Sequence, residues 1–152
     1  SWGTGSVDSV RGLSGILMTN GTLNSGVDGF FNVTTGLILK NDGNVHVNLT
    51  LSADKTADTF IKGDSVTPRY EWNINDIGGL NVSCNGIPVS SIDLNPTIYT
   101  AVNATGSVAR NVCSNFTIGN SLEIDILVEI PLNSPPEPKS SIITAQAYYP
   151  SI

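Results

Sequence analysis

Apolar and polar residues alternate along this chain with a period of two, and Gly, Pro, Asn, Asp or Ser interrupts the pattern about every ten residues. A period of two is the mark of a half-buried strand, because successive side chains leave opposite faces of the backbone. Residues 44–51 alternate throughout: Val45, Val47, Leu49 and Leu51 share one face, and His46, Asn48 and Thr50 share the other. Residues 36–40 form a second candidate strand. Between them, Asn41-Asp42-Gly43-Asn44 predicts a hairpin turn, since these residue types tolerate positive φ. The clearest strand is 122–130, with Leu122, Ile124, Ile126, Val128 and Ile130 on one face; Glu123, Asp125 and Glu129 lie on the other, together with Leu127. A stiff, proline-rich connection from Asn133 to Lys139 leads to a last strand at 141–149. Shorter candidates fall at 14–19, 58–62, 69–74, 79–84, 97–103 and 115–118.

This many strands with almost no helical pattern predicts an all-β chain, folded as a β-sandwich of jelly-roll type. At 152 residues the chain is one domain, large enough to bury its own core. Residues 1–12 stand apart: they are small, polar and glycine-rich, with only Trp2, Val7 and Val10 to bury. The expected organisation is therefore an extended tail over 1–12 and a sandwich over 13–152. Two fates are open to the tail. It packs on its own domain, or it acts as a donor strand captured by another copy, with Trp2, Val7 and Val10 as anchors.

Composition narrows the setting. Charged residues make up only 13% of the chain, about half the usual globular share, so hydroxyls and amides keep the surface wet. The net charge of −6 and pI near 4.4 disfavour nucleic acid and anionic lipid alike. No apolar run is long enough to span a bilayer, so membrane insertion is not expected. The chain opens Ser1-Trp2-Gly3 without an initiator Met, and the expectation is that a leader peptide has been removed. Cys84 and Cys113 form the even pair expected of one disulfide in an oxidising compartment, two buried thiols being the alternative. Asn-X-Ser/Thr acceptors stand at Asn20, Asn32, Asn48, Asn81, Asn103 and Asn115. Six is about twice the number that 16 asparagines would give by chance, and N-glycosylation outside the cell is the expectation.

The same residues offer little chemistry. His46 is the single histidine, and no nucleophile elbow, HExxH, phosphate loop or GxGxxG motif is present. The acids of 122–130 alternate as they would on the outer side of an ordinary antiparallel strand. No catalytic residue is assigned, and the chain is not expected to be an enzyme. Loop aspartates are plentiful (Asp28, Asp42, Asp54, Asp58, Asp64, Asp76 and Asp93), which leaves structural Ca²⁺ at subunit interfaces open without a named ligand set.

The stretch from Gly36 to Leu51, an apolar strand, an Asn-Asp-Gly turn and a Val-rich strand, resembles the TasA/camelysin-like biomatrix proteins and their archaeal bundling-pilus and cannula relatives. The ending, Leu122 to Pro131, a Pro-rich loop, then Ser140 to Ala145, is similar to the closing strands of that family. The resemblance implies a jelly-roll subunit of an extracellular pilus, tube or biofilm fibre. Such a subunit is a homopolymer whose N-terminal strand adds to the open sheet of a neighbouring copy. The other reading of the sequence is a monomeric cell-surface module that binds glycans or adheres, which would gather its aromatic residues in an exposed cleft.

Overall fold

The structure, a computed structural model, describes residues 1–63, 68–77, 83–84, 98–102 and 110–149. Strand β9 (Ser121–Ile130) organises it, as the strength of its alternation predicts. Leu122, Ile124, Ile126 and Val128 are buried on one face, and on the other Glu123, Asp125 and Glu129 are half-buried. Along one edge β9 pairs with β6 (Arg69–Asp76) over eight residues, which brings Tyr70, Trp72 and Ile74 opposite Val128, Ile126 and Ile124. Its other edge is shared end to end by β2 (Gly15–Met18) and β4 (Leu37–Lys40). The short β7 (Thr100–Ala101) closes the far side of β6.

The second sheet has β5 (Val47–Ala53) at its centre, flanked by β8 (Arg110–Phe116) and β10 (Ile143–Tyr148). Leu49, Leu51, Ala53, Val112 and Phe116 from this sheet meet Leu17, Trp72, Ile74, Leu122 and Ile124 from the first in one buried cluster. The protein is thus an all-β, antiparallel sandwich. Both cysteines lie in this cluster, and Cys84 is disulfide-bonded to Cys113. The buried Asp76 helps position the pair, since its carboxylate accepts the Ser83 N–H at 2.7 Å, one residue before Cys84.

Three local expectations need correction. Asn41-Asp42-Gly43-Asn44 does not close a hairpin: β4 pairs with β9 and β5 with β10 and β8, so the turn carries the chain from one sheet to the other. The buried Asn41 makes this corner. Its Nδ2 donates to the carbonyls of Val45 (3.0 Å) and Phe116 (2.8 Å), and its Oδ1 accepts the Gly43 N–H (3.1 Å). Residues 58–62 are not a strand, because Ala57–Phe60 forms a single helical turn, α1. Thr59 Oγ1 accepts the Thr56 N–H at 2.9 Å, a local bond that favours the turn over extension. The turn sets Phe60 on Tyr70, with ring centroids 4.8 Å apart. Finally, Thr50 on the expected solvent face is buried, beside register shifts between β5 and β8 at Leu49. The candidate 79–84 lies largely outside the described residues, and among the described residues of 97–103 only the short β7 is strand.

The connection from β9 to β10 crosses the sandwich and ends on Asp54. The Asp54 carboxylate accepts the Ile142 N–H (2.7 Å) and the Ser141 hydroxyl (2.8 Å), and the Asp54 N–H donates to the Ile142 carbonyl (3.0 Å). These bonds, the Ile142 amide first, hold the Asp54 carboxyl below the usual carboxylate range, with help from the Lys55 charge. A carboxylate whose folded pKa is depressed stabilises the fold above its unfolded pKa, near 3.9, and this contribution fades as pH falls through the folded value. Between about pH 5 and pH 2 the amides of β10 are therefore expected to lose hydrogen-exchange protection before those of β9. Asp54→Ala brings the same selective loss at neutral pH.

Candidate assembly interface: the N-terminal segment and its groove

The tail lies against its own chain. Strand β1 (Ser6–Val7) pairs antiparallel with β3 (Val27–Asp28), placing Ser6 opposite Asp28 and Val7 opposite Val27. Main-chain bonds continue on either side: Phe31 N–H donates to the Trp2 carbonyl and Asp8 N–H to the Gly26 carbonyl, both at 2.8 Å. Trp2 rests half-buried against the core. Its indole N–H is buried without an acceptor, a cost of about 1–3 kcal/mol that weakens this docking.

Glycine makes the close approach feasible. A Cβ on Gly5 would sit 2.6 Å from the Asp28 carbonyl and run into the Phe30 ring. A Cβ on Gly3, which has φ +73°, would sit 2.6 Å from the Phe31 ring. On the groove side, a Cβ on Gly15 would press on Val27 (2.6 Å) and Val7 (3.1 Å). Tail and groove are thus shaped to each other within van der Waals tolerance.

A turn joins them. Residues 9–13 are all exposed, and Val10, at 95% exposure, anchors nothing. Of the three apolar tail residues, only Trp2 and Val7 contribute to the docking. The turn is held at its rim by Asp8, which accepts the Val10 N–H (2.9 Å) and pairs with Arg11 (3.1 Å), and by Arg11 donating to the Ser25 carbonyl (2.8 Å). Sequence pattern singled out the tail but not the groove. Its signal is the apolar group Val27, Phe30 and Phe31 set among glycines, which no strand candidate covered.

The other candidate residues fall elsewhere. Asn20 and Asn32 are exposed and neighbouring, since the Gly21 N–H donates to the Val33 carbonyl at 2.8 Å. Asn48 is half-buried, with its amide oxygen accepting the Asn115 N–H at 2.9 Å, and Asn115 has φ +62°. Asn81 and Asn103 lie outside the described residues. His46 is half-buried just before β5.

The acids on β9 are engaged in holding neighbouring segments. Glu123 accepts the Gly36 N–H (2.8 Å), Asp125 the Thr19 hydroxyl (2.7 Å) and Glu129 the Ser14 hydroxyl. Tyr99 lies near two of them; burial, then the charges of Asp125 and Glu123, push its hydroxyl up to about 12. Among the described residues no three acidic, histidine or cysteine side chains converge in a way that fits a metal ion. Asp42, Asp54 and Asp76 are taken by Lys40, Ile142 and Ser83, while Asp64 and Asp93 lie outside the described residues. Exposed aromatic residues among those described are Phe31, Tyr148 and Tyr149, whereas Tyr70 and Trp72 belong to the core. No helix among the described residues is long and apolar enough to cross a membrane. The chain matches no family model, no curated protein and no solved structure.

Proposed function

We propose that this protein is a structural subunit of an extracellular filament or tube, and that residues 1–8 are exchanged between copies. The observation that carries the reading is the way the tail is held. It docks as a separate piece, through two strand pairs and two half-buried apolar side chains, and an exposed turn over 9–13 is its link to the sandwich. Every contact it makes with Val27, Phe30 and Phe31 can be made equally by the tail of a neighbour. Exchange of an identical element costs little beyond association entropy. Opening the turn converts five exposed residues into a linker of about 17 Å, enough to redirect the tail outward. If each copy gives its tail to the next, the contact is heterologous and propagates as a polymer.

Other features favour this role. The Cys84–Cys113 disulfide suits an oxidising, extracellular setting. Asn20 and Asn32 offer exposed acceptors for N-glycans. The engagement of Glu123, Asp125 and Glu129 with neighbouring segments favours a structural rather than catalytic use of the β9 acids.

The test uses two singly substituted chains, Ser6→Cys and Asp28→Cys, mixed under assembly conditions. Residues directly opposite in an antiparallel pair are close enough for a disulfide to form. A cross-link between the two chains is expected.

A further inference from the structure

The free edge of β10 points to a second contact between copies. β10 is the outermost strand of its sheet, and among the described residues no strand pairs with its other side. Natural edge strands are commonly blunted by lysine, proline, a bulge or a covering loop. Among the described residues β10 has none of these: Ile143–Tyr148 runs in unbroken register with β5, and Ser140 to Tyr149 contains no charged residue and no proline. Residues 144–149 are exposed, including Ala145, although its partner Leu51 is buried in the core. Ile142 and Tyr148 are 66% and 47% exposed.

The direction of the main chain follows from the Asp54 contacts. Ile142 turns both its N–H and its C=O toward Asp54 on the β5 side. By the alternation of an antiparallel ladder, Thr144 and Gln146 do the same, and Ile143, Ala145 and Ala147 present their N–H and C=O groups outward. Three donors and three acceptors thus line the open edge.

We infer that this edge pairs with the β10 edge of a second copy, antiparallel, about a twofold axis at Ala145. That register sets Ala145 against Ala145, Ile143 against Ala147, and the exposed Ile142 against the exposed Tyr148. The smallest side chains meet on the axis, and the two bulky apolar ones cover each other at both ends. A second copy fits better than another partner because the edge carries no charge. In a molecule of net charge −6, it is a surface on which two copies meet without opposing like charges. The two sheets become one continuous sheet across the axis. The contact does not depend on the tail, so it joins subunits whether or not tails are exchanged.

Cysteine placement in the full chain tests the register. In an outward-facing, hydrogen-bonded pair the Cα atoms lie about 5.5 Å apart, within disulfide range. Under mild oxidation that leaves Cys84–Cys113 intact, Ala145→Cys should form a disulfide-linked dimer with itself. Its yield should exceed that of Ile143→Cys alone by at least about tenfold, because two copies of residue 143 lie four positions out of register. Mixing Ile143→Cys with Ala147→Cys should restore the cross-link. Failure of Ala145→Cys to dimerise would overturn the inference, as would equal dimerisation of Ile143→Cys alone. A Ser6→Cys copy that captures Ala145→Cys more efficiently than Ala145→Cys captures itself would also overturn it, by assigning the edge to the tail.

Discussion

Replacing Gly5 by valine is expected to abolish polymerisation through the tail while leaving the sandwich folded. The substitution acts on the tail's seat, which is the same whether the tail is a copy's own or a neighbour's. Any Cβ at this position would meet the Asp28 carbonyl at 2.6 Å as well as the Phe30 ring, and the carbonyl belongs to the backbone of β3, which cannot turn aside as a side chain can. Without the seat, the Ser6–Asp28 and Val7–Val27 pairs and the packing of Trp2 are lost together. The apolar burial given up is worth about 3 kcal/mol, so the tail's affinity for any groove, a neighbour's as much as its own, should fall by more than about a hundredfold. Sedimentation or electron microscopy reads the polymer, and limited proteolysis reads the tail, which should become cleavable before residue 13. Gly12→Asn is the matched control. Gly12 also has positive φ (+64°), but nothing lies within 4 Å of its Cβ position, and asparagine tolerates that backbone conformation. Assembly should be unchanged. If Gly5→Val assembles as well as the parent chain, tail exchange is not the mechanism.

Loss of the disulfide should be the largest single change in the stability of the sandwich itself. Cys84 and Cys113 are separated by 29 residues, and closing a loop of that size stabilises by about 3.5 kcal/mol through restriction of the unfolded chain. Cys84→Ala combined with Cys113→Ala should therefore lower Tm by about 10 °C in a chain of this size. Both sulfurs are in the core, at 0% and 1% residue exposure, so reductant should act only when the protein opens. Reduced wild-type protein should unfold at nearly the same temperature as the double variant. A Tm within about 2 °C of the parent would mean that the bond does little to restrict the unfolded chain.

These two predictions draw on different depths of the sequence. The alternation of 122–130 was legible because the inner face of β9 is uniformly apolar and its outer face carries acids. No alternative period accounts for Leu122, Ile124, Ile126 and Val128 together, and all four are buried. The cysteine pair was legible as an even count, although its place in the core was not. The turn at Asn41 was legible as a turn, yet nothing local says which sheet the next strand joins. That choice rests on Asn41 reaching the Phe116 carbonyl, a contact 75 residues away. The strand expected at 58–62 is instead the helical turn Ala57–Phe60, because four residues are too few to reveal a period, and the hydroxyls of Thr56 and Thr59 decide the matter.

The candidate interface was the least legible part. The tail's composition marked it as separate, but the need for glycine at position 5 exists only once β3 and Phe30 lie beside it. Val10 looked like an anchor on composition alone and is instead the exposed tip of the turn.

The most direct measurement of tail exchange is the mixture of Ser6→Cys and Asp28→Cys chains, resolved by non-reducing electrophoresis after assembly and mild oxidation. Tail exchange predicts a disulfide between the two kinds of chain, mapped by mass spectrometry to residues 6 and 28. It would be contradicted if the mixture gave no such cross-link while one chain carrying both substitutions closed the 6–28 disulfide entirely within itself.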